Sequence, residues 1–282
     1  MSNKILILGA SGMLGSTLLK YFFRENYDVY GTVRNIKFSE FFDDSMRDKI
    51  KVYDYPGPIE EIIYEIKPDY VINCIGIIKQ HSNKVLVSDQ IKINSLLPHY
   101  LDEICNKSHS RLIQISTDCV FSGAKGMYSE IDIPDATDVY GRTKCLGEVF
   151  SANSITLRTS IIGHELRGCH SLIDWFLSQE ASIKGYKNAI FSGLPTVELA
   201  RIIADFVIPH PHLHGIYHVS SNPISKFDLL QLVANEYYKK IEIIEDGFLK
   251  LDRSLDSSKF QEATGFNSKS WPELLHLMHQ FV

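Results

Sequence analysis

Apolar residues along the chain fall into short unbroken runs that alternate with stretches of helical spacing. Ile5-Leu6-Ile7-Leu8 is continuous and apolar, as a parallel strand covered on both faces should be. It stops at Gly9, and an amphipathic segment runs from Met13 to about Arg24. Asp28 to Val33 predicts a second strand and Lys51 to Tyr53 a third. Ile59 to Lys67 sets apolar pairs among acids at helical spacing, and Pro68 ends it; Tyr70 to Cys74 predicts another strand. A helix from about Val87 to Cys105, interrupted at Pro98, precedes a strand from Arg111 to Ile115. This order predicts an α/β fold with a Rossmann-like, doubly wound parallel sheet.

The second half is less regular. Tyr140 to Phe150 predicts a helix, Ile155 to Arg158 a strand, Leu172 to Gln179 and Val197 to Phe206 helices, and Ile216 to Val219 a short strand. Phe227 to Val282 is expected to be helical, with breaks at Gly247, Gly265 and Pro272. There is no internal repeat and no low-complexity linker. The change of pattern divides the chain into 1–160, a dinucleotide-binding unit that also takes residues from about 190–220, and 161–282, mainly a smaller helical lobe for substrate.

Composition narrows the class. The chain has 282 residues, 44% of them hydrophobic and 22% charged, which excludes long disorder. A net charge of −5 argues against a general grip on nucleic acid. Cys74, Cys105, Cys119, Cys145 and Cys169 are odd in number and dispersed, without metal-ligand spacing, so neither a disulfide framework nor a metal site is expected. His210-Pro211-His212-Leu213-His214 reads as a surface turn. No run approaches a membrane span, and Ile5 to Leu8 is too short for a signal peptide. The expected location is the cytoplasm, with no membrane partner; a homodimer is left open.

Gly9-Ala10-Ser11-Gly12-Met13-Leu14-Gly15 has the form GxxGxxG, directly after a buried strand and opening a helix. Gly9 permits the tight turn, Gly12 admits a pyrophosphate to the backbone, and Gly15 lets helix and strand pack closely. The N–H groups at the helix start, around Ser11, Met13 and Leu14, then face the anion. At the end of the second strand Gly31-Thr32-Val33-Arg34 offers no acid for a ribose 2′-hydroxyl. The Arg34 guanidinium suits a 2′-phosphate, which favours NADP(H) over NAD(H); the alternative is a solvated loop arginine.

Tyr140 and Lys144 form YxxxK on the predicted helix, so both side chains share one face. A neighbouring ammonium is expected to move the phenol, ordinarily near ~10, toward the working range. Upstream, the strand around Ile113 ends in Ser116-Thr117, and the carboxyl ends of parallel strands are where ligands sit.

Together the glycine turn, Asn73-Cys74-Ile75-Gly76, Ser116-Thr117-Asp118 and Tyr140–Lys144 resemble the extended short-chain dehydrogenase/reductase superfamily. Ser116–Gly123, Tyr140–Glu148, Leu157-Arg158-Thr159-Ser160, Gly193-Leu194-Pro195-Thr196 and Leu199-Ala200 look most like its dTDP-4-dehydrorhamnose reductase group. The resemblance implies NADPH-dependent reduction of the C4 keto group of a nucleotide-linked 4-keto-6-deoxy sugar. In that frame Tyr140 is the general acid, Lys144 lowers its pKa and binds the nicotinamide ribose, and Thr117 holds the carbonyl. Cys74, Ile75 and Gly76 pass close to the cofactor, and Asp54 falls where relatives contact adenine unless it is only a surface acid. Arg253 is either a diphosphate ligand or a surface arginine.

Two departures fall where the sugar would lie. Cys119 stands where that group usually has a tyrosine, and Ile161 where it typically carries a tryptophan. Cys119 also replaces the second acid of the dehydratase pattern Thr-Asp-Glu, which argues against water elimination; a small packed residue is the simpler reading of its thiol. Lys79 and Gln80 either approach the sugar or are solvated. Two alternatives stay open: an epimerase that retains its dinucleotide, and a catalytically silent regulatory subunit.

Overall fold

The structure, a computed structural model, describes residues 3–281; Met1 and Ser2 of the expected 1–160 unit, and Val282 closing both the 161–282 remainder and the expected helical tail, lie outside the described residues. The chain opens with β1 (Lys4–Leu8), α1 (Met13–Arg24), β2 (Asp28–Val33), the short α2 (Asp44–Arg47), β3 (Ile50–Val52), α3 (Ile59–Ile66) and β4 (Tyr70–Asn73). The reason for the unbroken apolar run in β1 is visible in its surroundings. Ile5 and Ile7 join a core with Leu14, Leu18 and Phe22 of α1, whereas Leu6 and Leu8 join another with Ile59 and Ile63 of α3. Successive residues of a strand face opposite ways, so both faces of β1 must be apolar.

Next come α4 (Lys79–Ser82), α5 (Val87–Gln90), a π-helical turn over Ile91–Leu96, α6 (Leu97–Ser108), β5 (Arg111–Thr117), α7 (Val139–Leu146) and β6 (Ser154–Thr159). The expected interruption at Pro98 is a widened turn, not a break. Pro98 has no N–H for the carbonyl of Asn94 four residues back, and the preceding turn takes the looser i→i+5 register while the helix continues.

The remaining elements are β7 (Ile161–Ile162), α8 (Leu172–Ser178), β8 (Ile183–Tyr186), β9 (Ala189–Phe191), β10 (Leu194–Pro195), α9 (Thr196–Ile202), β11 (Gly215–His218), β12 (Ile224–Ser225), α10 (Lys226–Glu236), β13 (Ile243–Asp246), β14 (Leu251–Asp252), α11 (Ser258–Thr264) and α12 (Trp271–Gln280). The main sheet has the order β11-β6-β5-β4-β1-β2-β3, with every pairing parallel. The chain order reverses between β1 and β4, which places a ligand crevice at the carboxyl ends of those strands.

A separate core, built from Ile173, Phe176, Leu229, Val233, Trp271 and Leu274 among others, holds α8, α10 and α12 together. The tail departs from the helical expectation over 243–252. There β13 pairs with β8 and β14 with β9, in a stretch whose Ile241-Glu242-Ile243-Ile244 pattern is β-branched and alternating. Among the described residues no helix is long and apolar enough to cross a membrane.

Candidate active site

The glycine turn sits at the crevice. Gly9 adopts φ +84°, open to glycine at little cost, and a Cβ on Gly15 would lie 2.2 Å from the Gly9 carbonyl oxygen. Gly12 is the N-cap of α1, exposed and extended, with no side-chain cap and no acid in the first turn. The backbone N–H groups of Met13, Leu14 and Gly15 therefore meet no side-chain acceptor from the cap and no fixed negative charge in their own turn, which fits an anion. Ser11 and Met13 are partly exposed, whereas the Leu14 side chain is buried, so Leu14 can offer only its backbone. The turn is tied to β2, since Ala10 N donates to Thr32 O at 2.7 Å and Gly9 N to Thr32 Oγ1 at 3.1 Å.

Arg34 and Asp54 are both exposed, the first just beyond β2 and the second just beyond β3. Cys74, Ile75 and Gly76 follow β4 on the other side of β1. Ile75 N is held by Asn73 Oδ1 at 3.1 Å and Ile77 N by Asn94 Oδ1 at 2.8 Å. Gly76 is exposed, and a Cβ there would fill space 4.0 Å from Lys144 Nζ. The crevice thus has an open backbone edge on each side of β1, a shape and polarity that suit a dinucleotide.

Thr117 ends β5 and caps the short turn that follows. Its Oγ1 accepts from Cys119 N at 3.1 Å and donates to Asp118 Oδ1 at 3.2 Å. Tyr140 and Lys144 lie on α7, whose N-cap Asp138 accepts from Gly141 N at 2.7 Å and pairs through its other oxygen with Lys79 at 3.2 Å. A Cβ on Gly141 would lie 2.2 Å from the Cys119 carbonyl oxygen, so glycine lets α7 press onto the chain just past Thr117. Lys144 Nζ donates to Ile115 O at 2.8 Å, pinning the same helix to β5.

The electrostatics of this pair differ from the expectation. Burial raises the Tyr140 phenol above its ordinary value, with Cys119 next in effect; the Thr117 hydroxyl opposes the rise, and Asp118 and Asp138 add to it. Lys144 does not lower it here, because its Nζ is turned to the Ile115 carbonyl. Burial brings Lys144 itself down to about 8, opposed by Glu148 and Cys74. At neutral pH the tyrosine is a protonated donor and the lysine an ammonium. Burial also lifts the Cys119 thiol to about 12, with Asp118 adding and Arg253 and Lys79 opposing, so it is no thiolate nucleophile.

The sugar-side candidates come from distant segments. Arg253, just past β14, donates from Nε to Phe121 O at 2.7 Å and approaches Cys119 Sγ through Nη1 at 3.8 Å. Ile161 is partly exposed and follows Ser160, whose hydroxyl reaches Asp118. One residue escaped the sequence. Lys226 opens α10 behind the cap Ser225, which accepts from Asp228 N at 3.0 Å. Burial lowers its pKa, Asp118 and Cys119 oppose, and Arg253 and Lys79 add to the lowering, so Lys226 lies within electrostatic reach of all four. The Ser225-x-x-Asp228 cap was the available signal for a lysine held at a helix start. Gln80 is exposed beside Lys79. Among the described residues no group of three or more His, Cys, Asp or Glu side chains is placed to hold a metal ion.

A 3-2-1-4-5-6 parallel sheet, a glycine turn at its first crossover and a Tyr-Lys pair beside a strand-end threonine define an extended short-chain dehydrogenase/reductase. Within that class, the chain belongs to the family described as the RmlD substrate binding domain, which matches residues 3–280. It is 26% identical over 298 residues to a dTDP-4-dehydrorhamnose reductase of Aggregatibacter actinomycetemcomitans, covering 96% of this chain and 97% of that one. It is 23% identical to methionine adenosyltransferase 2 subunit beta of Bos taurus, over 84% of this chain and 72% of the relative. The crystal structure of dTDP-4-dehydrorhamnose reductase from Bacillus anthracis in complex with NADP superposes with a TM-score of 0.79 at 21% identity, covering 100% of each chain.

Proposed function

We propose that this protein is a cytoplasmic NADPH-dependent reductase of the C4 keto group of a nucleotide-linked 4-keto-6-deoxy sugar. The observation that carries the reading is the convergence of Thr117, Tyr140 and Lys144 at the carboxyl end of β5, next to the glycine crevice. The B. anthracis relative in complex with NADP and the exposed Arg34 support NADP(H) as cofactor. In this reading residues 1–160, with part of 190–220, bind the dinucleotide, and the remainder cradles the sugar nucleotide. Gly9, Gly12 and Gly15, with the backbone of Ser11, Met13 and Leu14, would hold its pyrophosphate; Arg34 its 2′-phosphate; Asp54 its adenine; and Cys74, Ile75 and Gly76 its nicotinamide side.

When bound, NADPH supplies the hydride that reaches C4. Thr117 turns its one hydroxyl proton from Asp118 to the C4 oxygen and orients it. Tyr140, protonated at neutral pH, gives its phenolic proton to that oxygen as negative charge develops there. Lys144, its ammonium anchored on the Ile115 carbonyl, would hold the nicotinamide ribose. Ile161 and Cys119 shape the face against the sugar, and Arg253 and Lys226 face the diphosphate with two positive charges.

The test is purified protein with NADPH and a panel of dTDP- and UDP-linked 4-keto-6-deoxy sugars. Oxidation of NADPH by one of them, reduced about 10²–10⁴-fold in Tyr140→Phe, is the expected result. No oxidation with any keto sugar overturns it. The likeness to a protein named as a subunit favours one second reading, a dinucleotide-binding subunit without turnover; NADPH binding with no chemistry would select it.

A further inference from the structure

Behind the Tyr140–Lys144 pair lies a buried ionic network that the reaction as described does not use. Glu148, two residues beyond α7, receives Arg158 in bidentate fashion, Nε to Oε1 at 2.7 Å and Nη2 to Oε2 at 2.7 Å, with side-chain exposures of only 2% and 3%. Ser116 Oγ donates to Glu148 Oε1 at 2.7 Å. Ser116 and Arg158 are register partners on β5 and β6, and Arg158 and His218 are partners on β6 and β11, so the carboxylate lies over a row spanning three strands.

The far end of the row is closed. His218 Nδ1 meets Tyr128 O at 2.9 Å and its Nε2 meets Arg158 Nη1 at 3.3 Å. A carbonyl on one side and a guanidinium on the other require Nδ1–H to donate and Nε2 to accept, so the ring is neutral. Burial and Arg158 bring its pKa down to about 4, in agreement.

A buried ion pair is weak evidence of stabilisation, since apolar replacements of similar volume often do as well. What such a replacement could not supply is a fixed negative charge four residues past Lys144 in the chain, hydrogen-bonded to the residue preceding Thr117. We propose that Glu148 is a positioning residue: clamped by Arg158 and Ser116, it fixes the end of α7 on the strand carrying Thr117 and keeps Lys144 charged. The role of Lys144 in turnover rests on the reductase reading; its charge state does not.

The groups facing Lys144 are Glu148 from the end of α7, Cys74 from the end of β4 and the Ile115 carbonyl of β5. Cys74 is a neutral thiol at pH 7, pushed by burial to about 12 against the pull of Lys144. Among the described residues Glu148 is then the anion that opposes the desolvation of the ammonium. Lys144 is therefore protonated below about 8 and loses its charge as pH rises through that value.

The experiment is a ¹³C NMR titration of cofactor-free protein labelled at lysine Cε, with the Lys144 signal identified by its loss in Lys144→Met. Glu148→Gln keeps the shape and an acceptor for Ser116 but removes the charge. The Lys144 midpoint should fall by about one pH unit, roughly a tenfold change in its protonation constant. If Glu148→Gln does not fold, Glu148→Gln with Arg158→Met removes both charges together, and the midpoint should still fall because it is Glu148, and not Arg158, that raises the Lys144 pKa. A midpoint within 0.3 unit of wild type, in either folded variant, overturns the proposal. With an active keto sugar, Glu148→Gln should lower kcat about tenfold with KM little changed, and Glu148→Asp should restore most of it; unchanged kcat overturns the positioning role. Absence of turnover in the wild type would instead count against the reductase reading and leave the titration standing.

Discussion

The two sides of the crevice are built by opposite means. On the side proposed for the dinucleotide, seven consecutive residues from Gly9 to Gly15 offer mainly backbone: three are glycines, Ala10 and Leu14 are buried, and Ser11 and Met13 are partly exposed. On the side proposed for the sugar, Cys119, Ile161, Lys226 and Arg253 come from four separate segments, and side chains would form the surface. The last two of those segments are joined through β9, where Ser225 and Asp252 flank Ile190 from either side. A backbone surface recognises a shape common to many dinucleotides. A side-chain surface changes with each substitution, and it is there that this chain carries its departures from the rhamnose-enzyme pattern.

That contrast can be broken from either side. Gly15→Val is the most severe test, because its Cβ would sit 2.2 Å from the Gly9 carbonyl oxygen and α1 could not keep its place. NADPH affinity, followed by fluorescence titration, should fall at least 100-fold; a loss under threefold would mean the turn is not the cofactor's cradle. On the other side, Arg253→Ala and Lys226→Ala should each raise KM for the sugar nucleotide about tenfold, as expected for a lost charge-assisted hydrogen bond. NADPH affinity should not move, and if it does the two sides are not separate. The smallest effect is expected from Arg34→Ala. An exposed charge is screened, so preference for NADPH over NADH should drop only about fivefold in steady-state comparison.

The same contrast explains what could be read from the chain. The first βαβ units were legible because one strand buried on both faces, one glycine turn and one amphipathic helix are each local, and Leu6 and Ile7 had to be apolar for different neighbours. Tyr140 and Lys144 were legible because four residues on a helix define a face. Lys226 was not, since its approach to Cys119 depends on β12 and β14 meeting across β9. The lysine's effect on the tyrosine was misjudged for a related reason. Spacing shows that two side chains share a face, but not that a third group, the Ile115 carbonyl, will take the ammonium. The strands at 243–252 were missed because their partners lie some sixty residues earlier.

The π-helical turn at Ile91–Leu96 has a further consequence for how the site could change over evolutionary time. It turns Asn94 and Ser95, neighbours in sequence, both inward: Asn94 holds Ile77 and Thr143, and Ser95 Oγ donates to Thr143 O at 2.8 Å. Both contacts fall on Thr143 of α7 from within this widened turn. Deleting a single residue there would return the helix to regular winding while its two flanking turns kept their packing. The expected outcome is that α7 loses its tie, through Asn94, to the loop after β4.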